Sequence, residues 1–160
     1  MAAMYSDADI KRLLDERKPL PKDFNSIIRL RDKRGHKEQE LEFHGVNDNQ
    51  FRLILRQSNF NPLDFSVILA YCPAERTQLF RLCRYNGKSH EHTNTIEANM
   101  FYDFHIHMAT ERYQELGGRE DAYAEPSGRY SDFPSAINCL VSDCGLELPK
   151  DPQQKLLGGA

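Results

Sequence analysis

The chain has 160 residues and a mass of 18.5 kDa, a size that suits one compact domain with its own hydrophobic core. Its 21 basic and 24 acidic side chains give a net charge of -3, which excludes the overall basic field typical of nucleic-acid-binding proteins. Residues 1–17 lack the apolar segment of a signal peptide, and the longest apolar run, residues 67–72, is too short to cross a bilayer. We therefore expect a soluble, cytoplasmic protein that does not contact a membrane.

The first predicted element is a short amphipathic helix. Ser6 is a good N-cap residue, and Ile10, Leu13 and Leu14 follow it with the i, i+3, i+4 spacing of one helix face. Two prolines shortly afterwards predict that this helix ends near Arg17.

The middle of the chain is predicted to be a β-sheet. Residues 24–36 fit either a helix or a strand, but after them the hydrophobic period changes to two. Five strand-like segments follow, at about residues 38–44, 51–57, 65–72, 79–85 and 101–108. The connections are short and rich in turn residues, which favours antiparallel hairpins in a meander.

The C-terminal part is predicted to contain a loop and a second helix. A polar loop follows Gly117 and runs to Arg129, and residues 132–144 show a cap and an apolar stripe with helical spacing. We expect this helix to pack on the sheet and residues 149–160 to form a flexible tail. The predicted fold is thus a single α+β domain over residues 1–148, with an antiparallel sheet of about five strands, an N-terminal helix and a C-terminal amphipathic helix.

Four of the six histidines form two His-x-His pairs. His90 and His92 lie in a predicted loop, whereas His105 and His107 lie on the last predicted strand and project from the same face of it. If the loop folds back over the neighbouring strand, the two pairs converge. Asp103 shares the predicted polar face, and its carboxylate is expected to orient the ring of His105 through a ring N–H.

These histidines support three hypotheses. The preferred one is metal-independent RNA cleavage by an RNase-like toxin or defence protein, in which imidazoles move protons at the ribose hydroxyl and the leaving oxygen. The second is a divalent metal such as zinc, held by His90, His92, His105 and His107. The third is a non-catalytic interaction or inhibitor module whose exposed histidines recognise a protein partner.

Cationic and aromatic residues near the histidines are the candidates for substrate binding: Arg84, Tyr85, Lys88 and Arg112. For Arg112, an ion pair with Glu111 is favoured over a phosphate site. The four cysteines lack zinc-site spacing and are interpreted as reduced core residues. His36 and His44 stand alone and are interpreted as surface residues.

Several of these motifs carry a resemblance to bacterial proteins. The sequences RYNG from Arg84, SHEHTN over residues 89–94 and FHIHMATERY over residues 104–113 resemble a family of uncharacterised bacterial proteins. More loosely, a strand ending in Arg-Tyr-Asn, a histidine-rich loop and a closing amphipathic helix over residues 79–145 are similar to the small TumE-type toxins of bacterial toxin–antitoxin pairs, which are suspected RNases. This resemblance implies RNA as a substrate and a cognate antitoxin, or another partner protein, that covers the histidine face.

Overall fold

A computed structural model describes residues 4–24 and 30–149 of the chain. Its elements, in chain order, are α1 (Asp7–Asp15), β1 (Lys18–Pro19), β2 (Arg31–Lys33), β3 (His36–His44), β4 (Gln50–Ser58), β5 (Phe65–Cys72), β6 (Phe80–Asn86), β7 (His92–Asn94), β8 (Asn99–Phe101), β9 (His105–Met108), α2 (Glu111–Glu115), β10 (Tyr123–Pro126), α3 (Phe133–Asp143) and β11 (Leu146–Glu147). The predicted α+β class, with a helix near each end, is confirmed.

The central sheet has seven strands in the order β10-β9-β6-β5-β4-β3-β2, two more than the prediction of about five. Its pairs are antiparallel, β3 to β6 form the first four strands of the predicted meander, and β2 adds an edge strand that was not predicted. Strand β9 then pairs with β6, and β10 forms the edge beyond β9. Outside this sheet, β7 and β8 form a hairpin, and β1 and β11 form a short parallel pair.

Both predicted helices begin at capping residues. The Ser6 hydroxyl accepts a hydrogen bond from the Asp9 backbone N–H at 3.0 Å, and the Asp132 carboxylate accepts one from the Ser135 N–H at 2.9 Å. Helix α3 ends at Gly145, whose φ of 72° lies in the left-handed region that favours glycine.

One face of the sheet forms the hydrophobic core beneath α1 and α3. Phe65, Val67 and Leu69 alternate along β5 and are at most 2% exposed, as the two-residue period of a strand requires. Leu140 of α3 is completely buried against this face. The core therefore lies between the two helices and the sheet.

Lys18 is a buried cation that joins the C-terminal ends of the two helices. Its Nζ donates to the backbone carbonyls of Leu14, Glu16 and Cys144 at 2.9, 2.7 and 2.6 Å. These are carbonyls that a helix cannot pair internally at its end. Burial lowers the pKa of Lys18, while the three acceptors satisfy its ammonium group.

The sequence prediction differs from the structure in three segments. Strand β9 begins at His105 rather than near residue 101, because Phe101 belongs to the β7–β8 hairpin. Strand β10 lies inside the predicted polar loop, where four residues gave too short a pattern to recognise. Strand β2 falls in the ambiguous segment, of which residues 25–29 lie outside the described part, as do residues 150–160 of the predicted tail.

The four cysteines are free thiols, and the buried pair Cys83 and Cys144 lies with Sγ atoms 3.7 Å apart.

No helix among the described residues is both long and apolar enough to span a bilayer.

Candidate metal centre

The second face of β9 carries two buried histidines. His105 is 0% exposed and His107 is 4% exposed, whereas Ile106 and Met108 on the opposite face are only half-buried. Both faces of β9 are thus covered, and the histidine face more completely. A predicted polar surface is therefore part of the protein interior.

The β7–β8 hairpin provides this cover, folding over β9 as the sequence analysis required. Asn94 on β7 is 2% exposed and binds Ala124 of β10 twice: its Oδ1 accepts from the backbone N–H at 2.9 Å and its Nδ2 donates to the carbonyl at 2.7 Å. On the other side, Glu97 forms an ion pair with Arg112, with N and O 2.5 Å apart, and accepts a hydrogen bond from the Tyr113 hydroxyl at 2.6 Å. The turn of the hairpin is therefore held from two sides, by β10 and by α2.

This hairpin brings His92 to the pair on β9. The ring centroid of His92 lies 5.4 Å from that of His105 and 4.8 Å from that of His107, and the latter two are 4.9 Å apart. One ring nitrogen from each of the three lies within 4.8 Å of the other two. His90 is exposed and contacts only His105 among them, with centroids 5.9 Å apart. The cluster thus contains three of the four predicted histidines.

Hydrogen bonds assign the tautomer of each ring. Nδ1 of His105 lies 2.7 Å from the Asp103 carbonyl oxygen, and Nδ1 of His107 lies 2.8 Å from the Asp121 carbonyl oxygen. A carbonyl only accepts, so each Nδ1 carries the proton and each Nε2 keeps its lone pair. This is the arrangement by which proteins orient metal-binding histidines.

His92 is oriented in the opposite sense by Asn94. Its Nε2 lies 2.8 Å from the Asn94 Oδ1, which cannot exchange with the amide nitrogen without losing both bonds to Ala124. Nε2 of His92 is therefore the donor, and its Nδ1 keeps the lone pair. Each of the three rings thus offers one basic nitrogen.

Burial keeps two of the rings neutral. Desolvation is the main cause that lowers the pKa of His105 to about 4 and that of His107 to about 2, and the charge of Arg84 lowers both further. Near neutral pH both imidazoles are unprotonated, as a metal ligand must be.

The prediction that the Asp103 carboxylate orients His105 is wrong. Its backbone carbonyl, not its carboxylate, accepts from His105, because residues 102–104 precede β9 instead of extending it. The Asp103 carboxylate is exposed and lies 3.9 Å from Nζ of Lys88. Lys88 is a half-exposed cation beside this carboxylate, and its contact is with Asp103 rather than with a histidine ring.

Two predicted substrate-binding residues lie elsewhere. Tyr85 is opposite Ile106 on β9, which places its side chain on the helix-covered face, where its hydroxyl donates to the Asp143 carboxylate. Arg112 is engaged by Glu97 rather than by its neighbour Glu111. Of the predicted cations, Arg84 lies nearest in register to the cluster, directly across from His107.

Sequence reasoning missed Asn94 and Asp121. Both are buried, at 2% and 0% exposure, and each holds a histidine of the cluster. A signal existed for Asn94, which lies two residues from His92 on the same strand face, whereas Asp121 is near the cluster only through the packing of the loop before β10.

No protein-family model, curated protein sequence or solved structure matches this chain. The resemblance to TumE-type toxins stays a prediction. Function is therefore inferred from the geometry of the histidine cluster.

Proposed function

We propose that this protein binds a divalent metal ion, Zn²⁺ in the first instance, through Nδ1 of His92 and Nε2 of His105 and His107. Two observations support the proposal. One ring nitrogen from each of the three histidines lies within 4.8 Å of the other two, and each ring has one nitrogen engaged by a fixed acceptor and one that keeps its lone pair. Imidazole suits Zn²⁺, and neutral rings bind it without first losing a proton.

The spacing is compatible with a modest closure on the ion. Zn–N bonds of about 2.0–2.1 Å in a tetrahedral site place ligand nitrogens about 3.4 Å apart. The widest separation in the cluster is 4.8 Å, so the rings must approach by about 1.4 Å. The Asn86 amide, 3.5 Å from Nε2 of His105, is a long contact that the ion would replace.

Three protein ligands leave one coordination position open. Structural zinc sites are closed by four protein ligands, whereas catalytic sites keep a position for water or substrate. His90 is exposed and lies outside the three-residue group. The proposed centre is therefore of the open type.

Metal-independent RNA cleavage is the second candidate, favoured by exposed His90 beside His105 and by Lys88, a cation beside Asp103. It needs one imidazole that is protonated near neutral pH to act as a general acid. His105 and His107, with pKa values of about 4 and about 2, do not meet that need, so the acid would have to be His90 or His92. For this reason the metal centre is the better-supported proposal.

The test is a calorimetric titration of EDTA-treated protein with Zn²⁺. We expect one ion per chain, and we expect His92→Ala to weaken binding by more than about 100-fold, because even loss of an outer-shell partner costs about 10–100-fold. His92 lies on the hairpin and not in the main sheet, so this variant should keep its fold, which circular dichroism checks.

The matched control is His90→Ala, two residues away in the same segment. It should leave the affinity within about 3-fold, since His90 is outside the group. Equal losses in both variants, or no binding by the wild-type chain, would contradict the proposal. Incubation of the same preparations with a mixed RNA pool, with and without EDTA, tests the second candidate, and EDTA-resistant cleavage that the His92→Ala variant lacks would support it.

A further inference from the structure

Asp121 is a completely buried carboxylate surrounded by arginines. Nε of Arg84 lies 3.4 Å from it, and Nε of Arg81 and of Arg119 each lie 3.5 Å away. Neither carboxylate oxygen has a hydrogen-bond partner among the described residues. The contacts are therefore ionic, and they hold three guanidinium groups beside the histidine cluster.

The charges in this group do not cancel. Arg81 is paired with Glu120, whose carboxylate lies 2.9 Å from its Nη2 and also accepts its backbone N–H. Among the residues that the structure describes, Asp121 then remains as the single counter-charge for Arg84 and Arg119, so one positive charge is left over in this group. An imidazole that binds a metal through its lone pair is uncharged, so the proposed ligands would not offset the charge of a divalent ion.

Arg84 is held in a fixed position next to the centre. It lies directly across from His107 in the β6–β9 pair, so both side chains project from the same face, and only 16% of its side chain is exposed. Asp121 fixes both residues at once, Arg84 by its carboxylate and His107 by its carbonyl at 2.8 Å. Among the described residues, neither terminal nitrogen of Arg84 has a hydrogen-bond acceptor, so both nitrogens can donate to a ligand.

We propose that the open coordination position and the terminal nitrogens of Arg84 together bind the phosphate group of a phosphate ester. This inference rests on the proposed metal centre. The ion and the uncompensated arginine supply about three positive charges, which a phosphate dianion balances better than a singly charged carboxylate. Arginine also presents two parallel donors, the geometry that two phosphate oxygens accept.

The test uses inorganic phosphate as the probe and protein loaded with Co²⁺, whose visible spectrum reports the coordination of the ion. The spectrum before phosphate is added tests the metal centre alone. We expect phosphate to change the wild-type spectrum in a saturable way, and we expect Arg84→Gln to weaken this response by at least about 10-fold with the cobalt spectrum itself retained.

Arg84→Gln leaves Asp121 with one arginine fewer and risks misfolding. Arg84→Lys keeps the charge opposite Asp121 but lacks the paired donors, and it should weaken phosphate binding by at least about 5-fold. The matched control is Arg56→Gln, which removes an exposed cation from the same face of the sheet, two strands from β6, and should change phosphate binding by less than about 2-fold.

The outcomes separate the two proposals. A cobalt spectrum that phosphate leaves unchanged would overturn the phosphate site while the metal centre stands. Equal phosphate binding by the wild type, Arg84→Lys and Arg84→Gln would overturn the role of Arg84. A chain that gives no cobalt spectrum would overturn the metal centre and this inference with it.

Discussion

The two faces of the sheet are buried by different means. The helix-covered face is filled with apolar side chains such as Leu69 and Leu140, which need no partners other than one another. The hairpin-covered face buries His105, His107 and Asp121, each of which requires a hydrogen bond or a charge. Apolar side chains can shift slightly and remain buried. Buried polar side chains need specific hydrogen-bond or charge partners, so the positions of the side chains on the second face are the more strictly determined.

The largest expected difference between the faces is in their response to acid. In metal-free protein, His105 and His107 stay neutral in the folded state, with pKa values of about 4 and about 2, but take up protons near pH 6.5 when unfolded. Protons therefore favour the unfolded chain, and stability present above about pH 6.5 is lost as the pH falls. From about pH 7.5 to about pH 5 the loss should be about 2 kcal/mol for each histidine, about 4 kcal/mol together.

Urea denaturation of EDTA-treated protein at the two pH values measures this effect. His107→Asn should show about half the pH dependence, because one of the two buried imidazoles is gone. His44→Asn removes an exposed histidine from β3 and serves as the control. An unchanged slope in His107→Asn would contradict the assignment.

The next effect tests the apolar face. Leu69→Ala should destabilise the protein by about 3 kcal/mol, since a fully buried leucine leaves a cavity when it is truncated. Ile68→Ala, one residue away on the other face and only half-buried, should cost about 1 kcal/mol. Both variants should bind Zn²⁺ as the wild type does. If Ile68→Ala were the more damaging change, the assignment of the core to the helix-covered face would be wrong.

A smaller loss of stability, with a larger loss of metal binding, is expected for Asn94→Ala. The variant loses two bonds to Ala124 and the acceptor of His92, at a cost of about 2 kcal/mol in the free energy of unfolding. Zinc affinity should fall by about 10–100-fold, because the ring of His92 is no longer oriented. Leu69→Ala provides the contrast, with a larger loss of stability and unchanged zinc affinity.

The smallest effect concerns the turn of the hairpin. Ala98 has a φ of 58°, a left-handed conformation that costs a residue with a Cβ about 1 kcal/mol. Ala98→Gly should therefore stabilise the protein by up to about 1 kcal/mol in thermal unfolding and leave metal binding unchanged. A destabilised Ala98→Gly variant would show that the turn has another conformation in solution.

The hydrophobic pattern and the capping residues were sufficient to predict the elements whose structure is determined by neighbouring residues in the sequence. The predicted strand at residues 65–72 matches β5 at both ends, and the capping residues located α1 and α3 to within two residues at either end. Strand β10 could not be predicted, because its four residues gain strand structure by pairing with β9. The same is true of the burial of His105 and His107, since a strand face shows its spacing in the sequence but not what covers it.

The sequence was sufficient to predict which histidines form the candidate site, but not how they are arranged in space. The two His-x-His pairs identified all three members of the cluster, and the folding back of the loop was stated as a condition. Which histidine would remain outside depended on the position of the hairpin, which Asn94 and Glu97 determine through contacts with β10 and α2. The role of Asp121 followed from no local pattern, because its partners are spread over three segments.

The clamp between Asn94 and Ala124 also has a consequence for the order of events during synthesis. Asn94 leaves the ribosome 30 residues before the backbone groups that it binds. All six histidines precede Ala124 in the sequence, the last of them being His107. Until β10 has emerged and joined the edge of the sheet, Asn94 lacks both of its backbone partners, and only the contacts of Glu97 with α2 tie the hairpin to the residues described before β10. We therefore expect binding of the proposed ion to be a late step, because a nascent chain that ends between His107 and Ala124 carries all three proposed ligands without the bonds that orient His92.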